Sequence, residues 1–157
     1  MARQEQPYTE QIMHKTKKWG IFTALKLIAR TLKADWSYNR GDYETAMRHF
    51  RHMAVKWNIP HAQFNMGIMH ERGEGVPENH AEAARWFRLA AEQGYAEAQY
   101  CLATMYESGE GVAWGYEEAI KWYEHAARQG HAMSILRLEI ETDLVYGQIN
   151  NGGISYP

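Results

Sequence analysis

The sequence predicts an all-α chain, a curved solenoid of stacked helix-turn-helix units, and three observations predict it. Two segments, Ala62 to Gly94 and Ala98 to Gly130, align without a gap at a period of 36 residues. A fixed period of that length marks stacked units rather than one closed core. Within each segment apolar residues recur at helical spacing along one face, which a strand would not need. Glycines fall at matching places in both, as Gly73-Glu74-Gly75 and Gly109-Glu110-Gly111 mid-segment and as Gly94 and Gly130 at the ends. Such residues stop helices because they accept the positive φ that a β-carbon resists. At 157 residues, 45% hydrophobic and 23% charged, the chain has the composition of one ordinary folded domain.

The elements follow in order. Thr9 caps a short helix over residues 9–19, with Ile12 and Met13 apolar and Lys15, Lys17 and Lys18 near its C-terminal end. A stacked array exposes apolar faces at both ends, so this helix reads as a cap; its apolar face is too thin for a membrane-surface helix. Residues 20–57 form a divergent first unit. Its first helix runs from Ile21 to about Tyr38, and Gly41 to Ala46, Phe50, Met53 and Ala54 read as the second, offset by 37 because of an extra residue near Pro60. The connection between them lacks Gly-x-Gly.

Residues 58–94 and 95–130 are the two well-matched units. Ala62, Met66, Met69 and His70 share a face of one first helix, and Ala98, Leu102, Met105 and Tyr106 share a face of the other. The second helices carry Ala83, Phe87, Ala90 and Ala91, and Ala119, Tyr123, Ala126 and Ala127. The small residues Gly67, Ala90, Ala91, Ala103, Ala126 and Ala127 let helices approach closely, and Val76 and Val112 plug the space beneath the turns. Residues 131–146 open a truncated fourth unit, and 147–157 form a polar, frayed tail.

The pattern Ala-x-x-x-Leu-Gly-x-x-Tyr, Gly-x-Gly-Val, Ala-x-x-Trp-Tyr-x-x-Ala-Ala-x-x-Gly resembles the Sel1-like repeat, a relative of the tetratricopeptide repeat. The resemblance covers Ala62 to Gly130 closely and the flanks less well. It implies a right-handed α-α superhelix with the first helix of each unit on the concave face, and a bacterial adaptor or inhibitory, immunity-type partner rather than an enzyme. The sequence departs from the family at Asn79 and Gly115, where Asp is usual and capping is weaker, and at His70, where Tyr is usual. Some secreted members have been linked to penicillin binding. Those carry regular disulfides, which one cysteine, Cys101, does not provide.

Chemistry finds little support in the residues. No nucleophile elbow, phosphate loop or His-Glu-x-x-His is present. Glu71, Glu74, Glu107 and Glu110 recur with the period, which marks a solvated edge rather than an acid-base pair. Cys101 sits mid-helix and reads as inert. His49, His52, His61 and His70 invite a metal or haem reading, but His49 and His70 occupy the family's Trp and Tyr positions and read as core substitutes, so no cofactor is expected. Residues 1–57 carry 11 basic and 5 acidic side chains, whereas residues 58–157 carry 6 and 14. That asymmetry favours steering or head-to-tail contact. It also raises nucleic acid as an alternative partner through Lys15, Lys17, Lys18, Lys26, Arg30, Lys33, Arg48 and Arg51. No apolar run is long enough to span a bilayer, no secretory signal is evident, and a reducing cytoplasm is the expected compartment.

The preferred reading is therefore a protein-binding module. The positions that differ between units on the first helices are Phe64, Ile68, Glu71 and Arg72, then Tyr100, Thr104, Glu107 and Ser108. They form an apolar strip flanked by acid, suited to a protein segment with one apolar face and some basic residues. Phe64 and Tyr100 are either contacts or packing between units. Trp114, in a turn where the sibling unit has Glu78, is either packed locally or an exposed anchor.

Overall fold

The computed structural model describes the backbone of residues 20–150 and the side chains of residues 22–142. The proposed capping helix at 9–19 and residues 151–157 of the tail lie outside the described residues. Among those described there are seven helices and no strand: α1 (Ile21–Asn39), α2 (Tyr43–Lys56), α3 (Pro60–Arg72), α4 (His80–Ala91), α5 (Ala96–Ser108), α6 (Tyr116–Ala127) and α7 (Ala132–Asn150). Each helix packs chiefly on its neighbours in sequence, the arrangement of a linear array. Ahead of the two well-matched units stand α1 and α2, packed against each other and, through α2, against α3. α7 continues to Asn150, beyond the Tyr146 at which the sequence reading closes the truncated unit.

Local chemistry sets the helix ends. Asp42 and Asn79 cap α2 and α4, accepting from the backbone N–H of Thr45 at 3.1 Å and of Glu82 at 3.0 Å. Asn79 is therefore a competent cap, and only Gly115, which brings no side chain to α6, leaves the weakness expected of both. α3 begins at Pro60, where the missing N–H costs nothing. α3 and α5 both end on a left-handed glycine, Gly73 at φ 68° and Gly109 at φ 76°. The turns then close by matching backbone bonds, Asn79 N–H to His70 C=O at 2.8 Å and Gly115 N–H to Tyr106 C=O at 2.9 Å.

The second glycine of each turn does a different job. A β-carbon on Gly111 would lie 2.2 Å from the carbonyl oxygen of His80, at the start of the preceding unit's second helix. One on Gly75 would lie 3.0 Å from Cβ of Tyr43, the corresponding place one unit earlier. Both glycines also have positive φ, so each turn presses bare backbone against its neighbour.

The core runs along the array as a series of clusters. Leu27 and Ala34 of α1, Phe50 and Met53 of α2 and Met66 and Met69 of α3 form the first. Phe87 of α4 with Leu102 and Met105 of α5 anchor the second, against which Val112 packs; Val76 is half-buried. Tyr123 of α6 meets Ala103 in the third. Gly67 shows why small residues recur here: a β-carbon there would stand 2.5 Å from the Phe87 ring.

Candidate protein-binding face

All the sequence-assigned positions except Trp114 lie on α3 and α5. The helix geometry sorts them into two groups that meet at Cys101.

In the first group, the half-buried Phe64 ring sits between Phe87 of α4 and Tyr95 ahead of α5, with centroids at 5.8 and 5.3 Å. Ile68, one turn on, packs against the same core. Glu71 is half-buried, and burial raises its carboxyl pKa; the nearby Arg72 and His80 oppose that, and Glu110 adds to it. Arg72 is exposed and donates to the Tyr38 hydroxyl at 3.4 Å. That hydroxyl donates in turn to Glu74 at 2.7 Å, and burial with the Glu74 carboxylate pushes its pKa up to about 12.

Cys101 is half-buried, and its thiol is pushed up to about 12, first by burial and then by Glu71 and Glu97. A thiol held that high is protonated and unreactive at neutral pH, as its mid-helix position suggests.

In the second group, Tyr100 repeats the Phe64 arrangement, held between Tyr123 of α6 at 5.7 Å and His131 ahead of α7 at 4.9 Å. Thr104 turns its hydroxyl back to the Cys101 carbonyl at 2.7 Å. Glu107 accepts from the Tyr123 hydroxyl at 2.7 Å and pairs with Arg137 of α7, whose guanidinium also lies 3.8 Å from Glu141. The Tyr116 hydroxyl donates to Glu141. Ser108 is exposed; it donates to the Met105 carbonyl and accepts from the Glu110 N–H. Trp114 stands in the turn before α6 with its side chain 69% exposed.

The two acids that flank the strip in sequence thus differ. Burial raises the pKa of the Glu71 carboxyl, whereas Glu107 is compensated by a cation from another helix. Arg137, Tyr38 and Tyr116 were invisible to spacing within a unit because they come from other elements. A second feature was visible and passed over. Gln63 and Gln99 are buried, and each accepts from a glutamine thirty positions on, Gln93 at 2.6 Å and Gln129 at 2.7 Å. Gln99 also donates to the Ala91 carbonyl of the preceding unit at 3.1 Å. The same residues stand at matching places in both units, which was the available signal.

Among the described residues the histidines do not converge. His49 and His70 are half-buried with pKa values lowered chiefly by burial. Among the described residues no group of three or more His, Cys, Asp or Glu side chains could hold a metal ion.

Comparison with known proteins agrees with this architecture. The Sel1 repeat matches residues 60–95 and 96–131. A Sel1 repeat protein from Oxalobacter formigenes superposes with a TM-score of 0.67 at 37% identity, over 71% of this chain and 46% of its own. A protective antigen present in uropathogenic Escherichia coli strains, displaying an SLR fold, gives a TM-score of 0.62 at 32% identity over 77% of this chain and 25% of its own. The chain therefore spans less than half of either structure. The Helicobacter pylori cysteine rich protein B shares the fold at 21% identity, with a TM-score of 0.56 over 59% of this chain and 68% of its own. Helices at 36-residue register, glycine-closed turns and these matches together make the chain a Sel1-like repeat protein, an all-α array built around two Sel1 repeats.

Proposed function

We propose that the chain is a non-enzymatic binding module that seats a segment of another bacterial protein along α3 and α5, as an adaptor or an inhibitory partner in the cytoplasm. Sel1 repeats are generally protein–protein interaction modules. The observation that carries the reading to this face is the pair of half-buried rings, Phe64 and Tyr100, each held by two aromatic neighbours, on helices whose C-terminal ends lead to the exposed Arg72 and Trp114. Rings fixed in place lose little entropy on contact, and aromatics with arginine dominate binding hot spots. The ligand is a segment with one apolar face and some basic residues, drawn by Glu71 and Glu110.

A photo-crosslinking residue placed in the host cell at Ile68, Thr104 or Trp114 is expected to trap one partner. The same residue at Arg85 or Leu89, exposed on α4, is expected not to. With that partner, Arg72→Ala and Trp114→Ala weaken binding by about 2 kcal/mol and leave thermal stability unchanged. Tyr100→Ala does both, lowering stability by roughly 2–3 kcal/mol because Tyr123 and His131 lose a ring between them. Unchanged affinity on replacing Phe64, Arg72, Tyr100 and Glu107 together would sink the proposal.

One cluster favours a second reading, nucleic acid on the basic amino-terminal third. Burial first, and then Lys33 and Arg30 of α1, lower the pKa of His49 on α2, and burial with Arg30 and Lys56 lowers that of His52. Binding of this kind falls steeply with salt and disappears when Arg30, Lys33 and Arg48 are neutralised.

A further inference from the structure

The two end helices share a property that the internal ones lack. α1 and α7 are 19 residues each, whereas the helices between them have 12 to 14. Both also carry a second apolar face. On α1, Leu27, Ala34 and Ser37 point into the core. On the opposite side Phe22, Leu25, Ile28, Leu32 and Trp36 follow one another at helical spacing in the open, Phe22 82% and Leu32 65% exposed. On α7, Ser134 is buried while Met133, Leu136 and Ile140, at i, i+3 and i+7, are exposed. Such a row of exposed apolar side chains, running from residue 22 to 36 on α1 and from 133 to 140 among the described side chains of α7, is rare on a surface that contacts nothing.

The charges beside the two stripes are opposite. Lys26 and Lys33 are exposed on α1, and the Arg40 guanidinium lies 4.7 Å from the centre of the Trp36 ring. α7 presents Glu139 in the open, three residues from Leu136; Glu141 lies on another face of the helix, taken up by Arg137 and Tyr116. The wider chain follows suit, basic through residue 57 and acidic beyond it. The basic charge also extends into residues 9–19, with Lys15, Lys17 and Lys18 against Glu10, so the chain's own amino-terminal segment is a poorer electrostatic match for α1 than α7 is.

We propose that the α1 stripe of one copy docks on the α7 stripe of a second copy. Two helices of equal length, each about 28 Å long, then lie side by side as neighbouring helices do within the chain. The contact is heterologous: each copy keeps one unused end, so assembly continues head to tail until a ring closes or a filament forms. α3 and α5 stay free of the joint, and their binding face would repeat along the assembly.

Sedimentation equilibrium on the intact chain, from about 1 to about 500 μM, tests this across the weak-interaction range. Wild type is expected to gain mass continuously with concentration, and to lose association about tenfold when salt is raised from about 0.05 to 0.5 M. One variant carries Leu25→Glu and Leu32→Glu, the other Leu136→Glu and Ile140→Glu. Each alone is expected to be monomeric, and an equimolar mixture to form a one-to-one dimer and nothing larger, since each partner retains one intact end. That dimer also demonstrates that both variants fold. Should either fail to fold, Leu32→Gln and Leu136→Gln singly are expected to weaken wild-type association at least fivefold. A wild type that stays monomeric throughout overturns the proposal. So does an α7 variant that still dimerises, which would mean that α1 pairs with α1, or a mixture that stays monomeric.

Discussion

Burial pulls the pKa of His70 on α3 and of His49 on α2 below the ordinary histidine value, and for His49 the cations Lys33, Arg30 and Arg48 reinforce it. The sign of the consequence is fixed. As pH falls, the unfolded chain takes up its protons first, near pH 6.5, while the folded chain resists; the stability these residues contribute is complete above that pH and lost as pH falls through the lower folded values. Asp35 and Glu71 run the other way, their carboxyls raised by burial, but their window lies further down, from about pH 4 upward. The melting temperature is therefore expected to drop as pH falls below about 6.5, and His49→Gln with His70→Gln to flatten the profile there. An unchanged profile in the double variant would assign the slope elsewhere. The sequence showed that these histidines replace larger aromatic residues of the repeat. It did not show the cations around His49, because Arg30 and Lys33 belong to the neighbouring helix and only packing brings them near. Arg137 on Glu107 is the same case at the binding face.

Helices α4 and α6 are the same element written twice, twelve residues each after an identical backbone closure, and they differ at the cap. Asn79 satisfies an N–H of the first turn; Gly115 satisfies none. Its φ of −161° is ordinary extended backbone, open to any residue. Gly115→Asn is expected to raise stability by about 0.5 kcal/mol, provided the Glu118 carboxylate, 3.0 Å from the new β-carbon, swings aside; chemical denaturation at fixed pH measures it. No gain would mean that Glu118 is held in place. Element boundaries were legible where a glycine sets them, as at Gly73 and Gly109. The end of α7 was not, since Gly147 reads as a stop by propensity, yet a helix tolerates one glycine for about 1 kcal/mol.

Across the whole molecule, stability depends on how firmly each unit holds the next, and the buried glutamines are polar members of that joint. Gln99 of α5 binds the end of α4 through Ala91 and receives Gln129 from the end of α6. Removing Gln129 leaves the buried Gln99 oxygen without its donor, and removing Gln99 also breaks the bond to Ala91, so Gln99→Ala and Gln129→Ala are each expected to cost about 1–2 kcal/mol. The double variant should cost less than their sum. Simple additivity in that cycle would show that the two amides do not act together. The glycine seats between units govern a different matter, how such a chain changes length over evolutionary time. Because Gly111 meets the start of α4 with no room for a side chain, and Gly75 meets α2 at the corresponding place, these two joints present the same socket and the same plug. A duplicated block of one full period would arrive with both and dock at once. A block of any other length would drive a side chain into backbone. Lengthening is thus quantised in whole units, and single-residue drift is confined to places such as the approach to Pro60, where the spacing already slips by one without touching a seat.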